Sequence, residues 1–246
     1  HSAHTTVIPI KRLSHVHRAT EEYLSYVNNT LRKDVQELHI HRDGVRSPMT
    51  GMTIKTDSAS YYTSNTFISM CQRASGGSCR VEHSSPYRQA LNAHIERAWQ
   101  TINASAACMR TQTNLPKTFW AMSAIHATRL MNLMPTQANP GGVSPHFRLY
   151  GEHPTADTLR HIKPFGTIAY SRVGARKSKL SAKAQYGIYC GYDDRRKCHV
   201  IYIPRRKFTA AKMLYSASVR FDLDLPKSVG RIMKNKVLPH PNVDVV

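Results

Sequence analysis

Acidic residues are scarce in this 246-residue chain, in which 15 Asp and Glu stand against 35 Lys and Arg and the formal net charge is +20. Such an excess of cations is typical of proteins that bind nucleic acid, although acidic membranes attract it as well. Long apolar runs are missing, as are a signal peptide and an amphipathic anchor with a basic rim. These absences argue against a membrane partner and leave nucleic acid as the expected one.

Cysteine is also sparse, and its five copies are odd in number and irregularly spaced: Cys71, Cys79, Cys108, Cys190 and Cys198. This pattern argues against a disulfide framework and favours reduced thiols in a nuclear or cytosolic protein. The compact ligand pairs that build structural zinc sites are missing too. We therefore interpret the pairs His15-x-His17 and His39-x-His41 as surface or structural histidines in preference to zinc ligands.

The chain is long enough for one large domain or two small ones. Its first 155 residues alternate between patterns typical of strands and of helices, which indicates an α/β fold. Strands are predicted at 5–10, 38–41, 52–57 and 79–82, and helices at about 15–32 and 65–72.

A long helix is predicted after Pro86, which suits a helix start because its missing N–H costs nothing there. Apolar residues then recur at spacings of three and four, which predicts one buried stripe: Leu91, Ile95, Ala98, Trp99, Ile102, Ala106 and Met109. Glu96 lies on the opposite, polar face, one turn after Asn92. A second helix is predicted from Pro116 to about Met134.

Short strands dominate from about Lys163 onward. They are predicted at 167–170, 186–190, 200–203 and 214–221, separated by turn residues, which is typical of a small β-barrel. Five tyrosines are expected to pack inside this barrel in preference to stacking on bases: Tyr170, Tyr186, Tyr189, Tyr192 and Tyr202. Residues 226–246 form a basic tail without strong periodicity, which we expect to be poorly ordered.

Two carboxylates stand where a metal site could form. Asp57 ends the predicted strand at 52–57, and Glu96 lies on the polar helix face about forty residues later. Hard cations such as Mg²⁺ prefer oxygen ligands, and they often take one or two carboxylates together with substrate phosphates. On spacing alone, however, a cap and a solvated helix residue explain this pair better.

A set of motifs nevertheless favours the metal site. Ser84-Ser85-Pro86-Tyr87 and Asn92-Ala93-His94-Ile95-Glu96-Arg97 resemble the Ser-x-Pro-Tyr and Gln-Asn-Gly-x-x-Glu-Arg segments in the integrase core of copia-type LTR retrotransposons. Further segments follow in the order of that family and extend the resemblance over roughly residues 1 to 224: Leu115–Ala121, Leu149–Pro154, Gly187–Tyr192 and Val219–Asp222. Each motif alone is modest, but the ordered set is specific.

The resemblance implies an α/β architecture in three parts. Residues 1–155 would form an RNase H-like integrase core, truncated at its N-terminus and ending in helices. Residues 160–225 would form an SH3-like β-barrel module, and residues 226–246 the basic tail. Asp57 and Glu96 would be catalytic residues and ligands of Mg²⁺ or Mn²⁺ in DNA strand transfer. The implied partners are retroelement ends, target DNA and further copies of the intact parent, in the nucleus after a cytoplasmic particle stage.

The chain also departs from the family pattern. The first Asp of the family's Asp, Asp and Glu would precede His1, so we expect a truncated or decayed copy. Ser58, Ala59 and Ser60 replace the residues that usually follow the second Asp, and Ala93 replaces a Gly. The alternative is therefore a catalytically inactive remnant that acts only as a nucleic-acid-binding module. An unrelated basic RNA-binding domain would require the ordered match to be accidental.

Basic residues are concentrated after residue 170, with few acids between them. Phosphate contacts by such residues provide an affinity that is independent of sequence and falls with salt. Arg97, next to Glu96, could reach a phosphate near the predicted metal site. The residues predicted to contact DNA are Arg97, Lys177, Lys179, Arg195, Arg196, Lys197, Arg205, Arg206 and Lys207.

Overall fold

The computed structural model describes residues 3–40, 52–56, 59–77, 79–83, 93–172, 183–205 and 210–223, with the backbone alone at 29–40 and 52. These residues belong to two compact units. One consists of residues 8–98, and the other consists of residues 3–7 and 99–223. The predicted domain limits at residues 155 and 160 stay predictions, and each unit is described by itself below.

The unit of residues 8–98 contains two parallel strands with helices in the connection between them. In chain order its elements are helix α1 (Val16–Ile40), strand β1 (Met52–Thr56), helix α2 (Ser60–Thr63), helix α3 (Asn65–Ala74) and strand β2 (Cys79–His83). The strands pair in register from Met52 opposite Cys79 to Thr56 opposite His83. Parallel strands require a crossover connection, which α2 and α3 supply here. The mixed α/β order predicted for this segment is therefore confirmed.

A small core holds this unit together. Ser64 caps α3 because its hydroxyl oxygen accepts a hydrogen bond from the Phe67 N–H, at 3.2 Å. One face of α3 then meets α1 and β2 in a cluster of buried residues: Leu24, Phe67, Met70, Cys71 and Cys79. Ile54 of β1 and Val81 of β2 pack against this cluster, so the strand pair is fixed to the helices.

Helices form the first part of the other unit. They are α4 (Ala93–Gln112), which enters the unit at Trp99, α5 (Trp120–Leu133), α6 (Pro145–Tyr150) and α7 (Ala156–Arg160). A 3-10 turn at Lys117–Phe119 leads into α5, directly after Pro116 as predicted. No helix in the described ranges is long and apolar enough to cross a membrane.

The apolar stripe predicted along α4 is buried only in its second half. Ile102 packs against Ala124 and Ala127 of α5 and is 1% exposed. Ile95 and Trp99, two turns and one turn earlier, are 65% and 41% exposed. The prediction that these two residues are buried is therefore wrong, because periodicity shows which residues share a face but not how far a neighbouring helix covers it.

Five antiparallel strands complete this unit. They are β3 (Ile168–Arg172), β4 (Ala184–Asp193), β5 (Cys198–Ile203), β6 (Lys212–Ser216) and β7 (Val219–Asp222). They lie in the order β6-β5-β4-β3-β7. The predicted strands are thus confirmed, with the last one divided into β6 and β7. Among the described residues no pairing joins β6 to β7, so the sheet as described is open and the predicted closed barrel is not seen.

The two faces of the sheet carry different clusters. We call the face that bears Ile168, Ile188 and Tyr202 the outer face, and the face that bears Ala169, Tyr189 and Ile201 the inner face. Side chains alternate between the faces along each strand. Phe119 and Met122 cover part of the outer face, and the Phe119 ring meets Tyr202 edge to face with 5.1 Å between centroids. This contact joins the helices to the sheet.

The strand predicted at residues 5–10 is not formed. Residues 3–10 have no regular secondary structure, and the Thr5 backbone bonds to a side chain instead of a strand. The Thr5 N–H donates to Asn132 Oδ1 at 3.0 Å, and Asn132 Nδ2 donates to the Thr5 carbonyl at 2.7 Å. Because one amide side chain satisfies both backbone groups, the segment needs no neighbouring strand.

The strand predicted at 38–41 is also wrong in its described part. Residues 38–40 form the end of α1, which continues well beyond the predicted helix end near residue 32. Four alternating residues are too few to distinguish a strand from a helix end. His41 and the tail at 226–246 lie outside the described residues.

Replacing Phe119 by alanine should destabilise the sheet-bearing unit strongly. The ring has no solvent exposure, so its removal leaves a cavity and should lower the free energy of unfolding by about 3–5 kcal/mol. Trp120→Ala is the matched control, because its neighbouring ring is 44% exposed and should cost less than about half as much. Urea denaturation followed by circular dichroism measures both, and equal losses would contradict the proposed core.

Candidate nucleic-acid interface

The two predicted carboxylate positions fall in the unit of residues 8–98, but only one is described. Strand β1 ends at Thr56, and Asp57 lies outside the described residues. Glu96 is exposed in the first turn of α4, where a negative charge interacts favourably with the helix dipole. Arg97, the next residue, is exposed as well. The structure therefore shows an accessible carboxylate at Glu96.

The metal prediction stays a prediction. In the described part of the chain, no group of three or more His, Cys, Asp and Glu side chains is placed to hold a metal ion. An exposed carboxylate such as Glu96 is nevertheless a suitable oxygen ligand for Mg²⁺ or Mn²⁺.

The turn between β4 and β5 brings three predicted DNA-contacting residues together. Arg195, Arg196 and Lys197 follow one another in this turn, and all three are exposed. Asp193 orders the turn because its Oδ1 accepts hydrogen bonds from the N–H groups of Arg195 at 2.9 Å and Arg196 at 3.0 Å. Lys197 then takes a left-handed conformation with φ of 52°. The backbone thus presents three consecutive cations at one end of the hairpin.

Arg196 is held more closely than its neighbours. Its Nε lies 3.7 Å from Asp193 Oδ2, and its guanidinium carbon lies 4.2 Å from the centroid of the Tyr215 ring on β6. A cation over an aromatic face is attracted by the ring's negative π surface. These two contacts orient Arg196 across the strands.

A bidentate ion pair fixes the other side of the turn to α5. Arg129 donates from Nε to Asp194 Oδ2 at 2.8 Å and from Nη2 to Asp194 Oδ1 at 3.0 Å. The Arg129 side chain is only 10% exposed, and it also lies over the Tyr192 ring at 5.2 Å. Paired arginine–carboxylate bonds fix geometry as well as charge. Arg129 therefore positions the turn and is not itself available to a polyanion.

The remaining predicted cations are divided between described and undescribed segments. Arg205 is exposed just after β5. Four residues lie outside the described residues: Lys177, Lys179, Arg206 and Lys207. In the sheet-bearing unit, the described part of the predicted interface is therefore the turn, with Arg205 at the opposite end of β5.

The five tyrosines expected to pack inside a barrel do not behave alike. Tyr189 and Tyr202 are buried, as predicted, and half-buried Tyr192 stacks on His161 with 4.3 Å between ring centroids. Tyr170 and Tyr186 are 41% and 37% exposed, so the expectation is wrong for these two. Both lie on the outer face, beyond the residues that the helices cover. The alternation along the strands predicts that Tyr170 and Tyr186 share a face with Ile168 and Ile188. It does not predict how much of that face the helices cover.

Two histidines near the turn are buried against aromatic rings. His126 of α5 and His199 of β5 each lie 5.8 Å from the Tyr189 ring. Burial lowers the pKa of His126 from 6.5 to about 4, and the charge of Arg129 acts in the same direction. Burial likewise lowers the pKa of His199 to about 4, with the neighbouring His161 adding to the effect. Both rings are therefore neutral at physiological pH.

Comparison with family profiles finds no protein family that matches the chain. Among solved structures, the chain is similar to a chain in the cryo-electron microscopy structure of the simian T-cell lymphotropic virus intasome in complex with the PP2A regulatory subunit B56 gamma. The sequence identity is 18%, the TM-score is 0.31 and the match covers 77% of this chain. It spans 63% of the other chain. At this level of similarity, function has to be argued from the chain's own residues.

Folding stability should fall as the pH drops from about 6.5 to about 4. The unfolded chain takes up a proton near pH 6.5 at His126, whereas the folded chain does so only near pH 4, so acid favours the unfolded state in this window. Below both values no further loss comes from this residue. Its share is up to roughly 3 kcal/mol.

The measurement is urea denaturation at a series of pH values. His126→Asn removes one titration and should make the dependence on pH between about 4 and 6.5 shallower, while His199 leaves part of the slope in place. The matched control is His153→Gln, at an exposed position of the same unit, which should leave the slope unchanged. A slope as steep in His126→Asn as in the unchanged protein would contradict the assignment.

Proposed function

We propose that this chain is an integrase fragment of a copia-type LTR retrotransposon and that it binds DNA with its sheet-bearing unit. The observation that carries the proposal is the turn at Arg195–Lys197, which Asp193 orders through the N–H groups of Arg195 and Arg196 and which presents three exposed cations in a chain of net charge +20. The turn lies inside the series of motifs that follow the copia order. Its cations would contact phosphates, which supplies affinity without sequence preference.

The predicted catalytic residues belong to the other unit. Strand β1 leads directly to Asp57, and Glu96 is an exposed carboxylate on α4. The parallel pair of β1 and β2, with α3 between them, agrees with the alternating order expected of an RNase H-like core. Under the proposal, Asp57 and Glu96 would hold Mg²⁺ or Mn²⁺, and Arg97 would orient a phosphate beside them. Such an ion stabilises the attacking and leaving oxygens when a DNA 3′-hydroxyl displaces a phosphodiester.

The remaining features of the proposal concern the intact parent. The five-stranded sheet would be the SH3-like module of residues 160–225, and the parent would act as a homo-oligomer on retroelement ends and target DNA in the nucleus. The alternative function is a remnant that binds nucleic acid without joining DNA ends. The two are separated by measuring joining and binding on the same proteins.

Strand transfer in Mg²⁺ or Mn²⁺ tests the catalytic part. The assay uses the chain extended upstream to include the first Asp of the family pattern, together with its Asp57→Asn and Glu96→Gln variants. In each variant the yield of joined DNA ends should fall at least 100-fold, because a metal ligand is lost. DNA binding should be unchanged, because the cationic turn is intact. Glu152→Gln, at another exposed acid, is the control and should join DNA normally.

Two outcomes would revise this account. Joining that persists in both Asp57→Asn and Glu96→Gln would contradict their assignment as metal ligands. An extended protein that binds DNA but joins no ends would instead support the alternative, in which phosphate binding is the property that survives.

The salt dependence of DNA binding tests the role of the turn. Arg195→Gln combined with Lys197→Asn should weaken duplex binding and reduce the slope of log Kd against log salt by about 2, because two phosphate contacts are lost. Asn suits position 197 because it tolerates a positive φ. Lys117→Gln, an exposed cation of the same unit outside the turn, should change the slope little. An equal effect in both proteins would indicate general charge and not a site.

A further inference from the structure

The helices cover only part of the outer face of the sheet. Ile168 and Ile188 lie opposite each other on β3 and β4 and are 5% and 1% exposed beneath the helix side chains. Two residues further along β3 and two residues back along β4, Tyr170 and Tyr186 form the next opposed pair on the same face. They are 41% and 37% exposed. Two aromatic rings therefore stand side by side where the cover ends.

Arginines flank this tyrosine pair. Arg220 of β7 lies opposite Tyr170 on the other side of β3 and is exposed. We call the line Arg220–Tyr170–Tyr186, which crosses three strands, the tyrosine row. Directly opposed residues in an antiparallel sheet have Cβ atoms about 4.5–5.5 Å apart and point to the same face. Arg172 follows on this face, opposite the small side chain of Ala184, and is exposed too.

Among the described residues, no ion pair joins Arg172 or Arg220 to a carboxylate. The described strands β3, β4 and β7 carry two, Asp193 and Asp222. Asp193 accepts the hydrogen bonds of the turn, and Asp222 is half-buried opposite Ile168. Tyrosine and arginine are also common at protein interfaces. Here, however, the positive charge of the row and of the whole chain matches a polyanion.

The two tyrosine rings cannot stack on the bases of duplex DNA, because its base faces are already stacked on one another inside the helix. A single strand exposes its base faces, and proteins bind such strands by combining aromatic side chains with a positively charged groove. We infer that the tyrosine row binds unpaired bases of single-stranded DNA, with Tyr170 and Tyr186 stacking on bases and Arg172 and Arg220 contacting phosphates. This inference rests on the proposed DNA-binding function and specifies that this surface binds DNA in its single-stranded form.

Binding of three fluorescent probes to the full chain tests the inference. The probes are a single-stranded oligonucleotide of mixed sequence, the duplex of the same sequence, and an abasic strand of the same length that has phosphates but no bases. Tyr170→Ala and Tyr186→Ala should each weaken binding of the base-bearing single strand about tenfold, which corresponds to the loss of one stacked base. Binding of the duplex and of the abasic strand should change less than about twofold, because neither offers a base to the rings.

Two further variants serve as controls for the role of the tyrosine rings. Tyr170→Phe retains the ring and should bind the single strand as the unchanged protein does. Trp120→Ala removes a ring of similar exposure elsewhere in the unit and should have no effect on any probe. Circular dichroism melts confirm that each variant is folded.

The outcomes separate this inference from the proposed function. One contradicting result is that the unchanged protein binds duplex DNA while Tyr170→Ala and Tyr186→Ala bind the single strand normally. Another is that the affinity of these two variants for all three probes falls equally. Either result would show that the tyrosine row is not a base-stacking site. If the unchanged protein binds none of the probes, the proposed DNA-binding function fails with it.

Discussion

The edge-to-face contact between Phe119 and Tyr202 is the constraint on which the sheet-bearing unit depends. Both rings are almost completely buried, and their centroids are 5.1 Å apart. Through this contact the segment that leads into α5 is packed onto the outer face of the sheet. Since the cover ends beyond Ile168 and Ile188, the same packing that builds the core leaves Tyr170 and Tyr186 open to solvent. The buried core residues and the exposed tyrosine row therefore lie on the same outer face of the sheet.

The few acidic residues near the hairpin turn are used for structure. Asp193 accepts two backbone hydrogen bonds inside the turn, and Asp194 forms a bidentate pair with the nearly buried Arg129. Both carboxylates are therefore committed to fixing the backbone. Arg195 and Lys197 are exposed beside these two carboxylates. Under the proposal the turn contacts phosphates and the tyrosine row contacts bases.

Periodicity predicted most of the described elements. Most helices and strands from Met52 onward lie close to where spacing placed them, because apolar residues at a regular repeat leave few ways to bury a face. The short helices α2, α6 and α7 were not predicted. The failures have a common cause, which is that a pattern holds no information about distant partners. The Asn132 side chain removed the need for a strand at Thr5, and the extent of the helices decided the exposure of Ile95 and Tyr170. Asp57 and Glu96 were found through family resemblance, since spacing alone does not distinguish them from solvated acids.

Photocrosslinking tests most directly whether DNA contacts the outer face and the turn. Single-stranded DNA containing iodinated uracil would be irradiated on the full chain, and the crosslinked peptides would be identified by mass spectrometry. Crosslinks should concentrate at Tyr170 and Tyr186 on β3 and β4, with weaker ones near Arg195–Lys197. Crosslinks confined to residues 8–98, with none on the sheet, would contradict the placement of the interface.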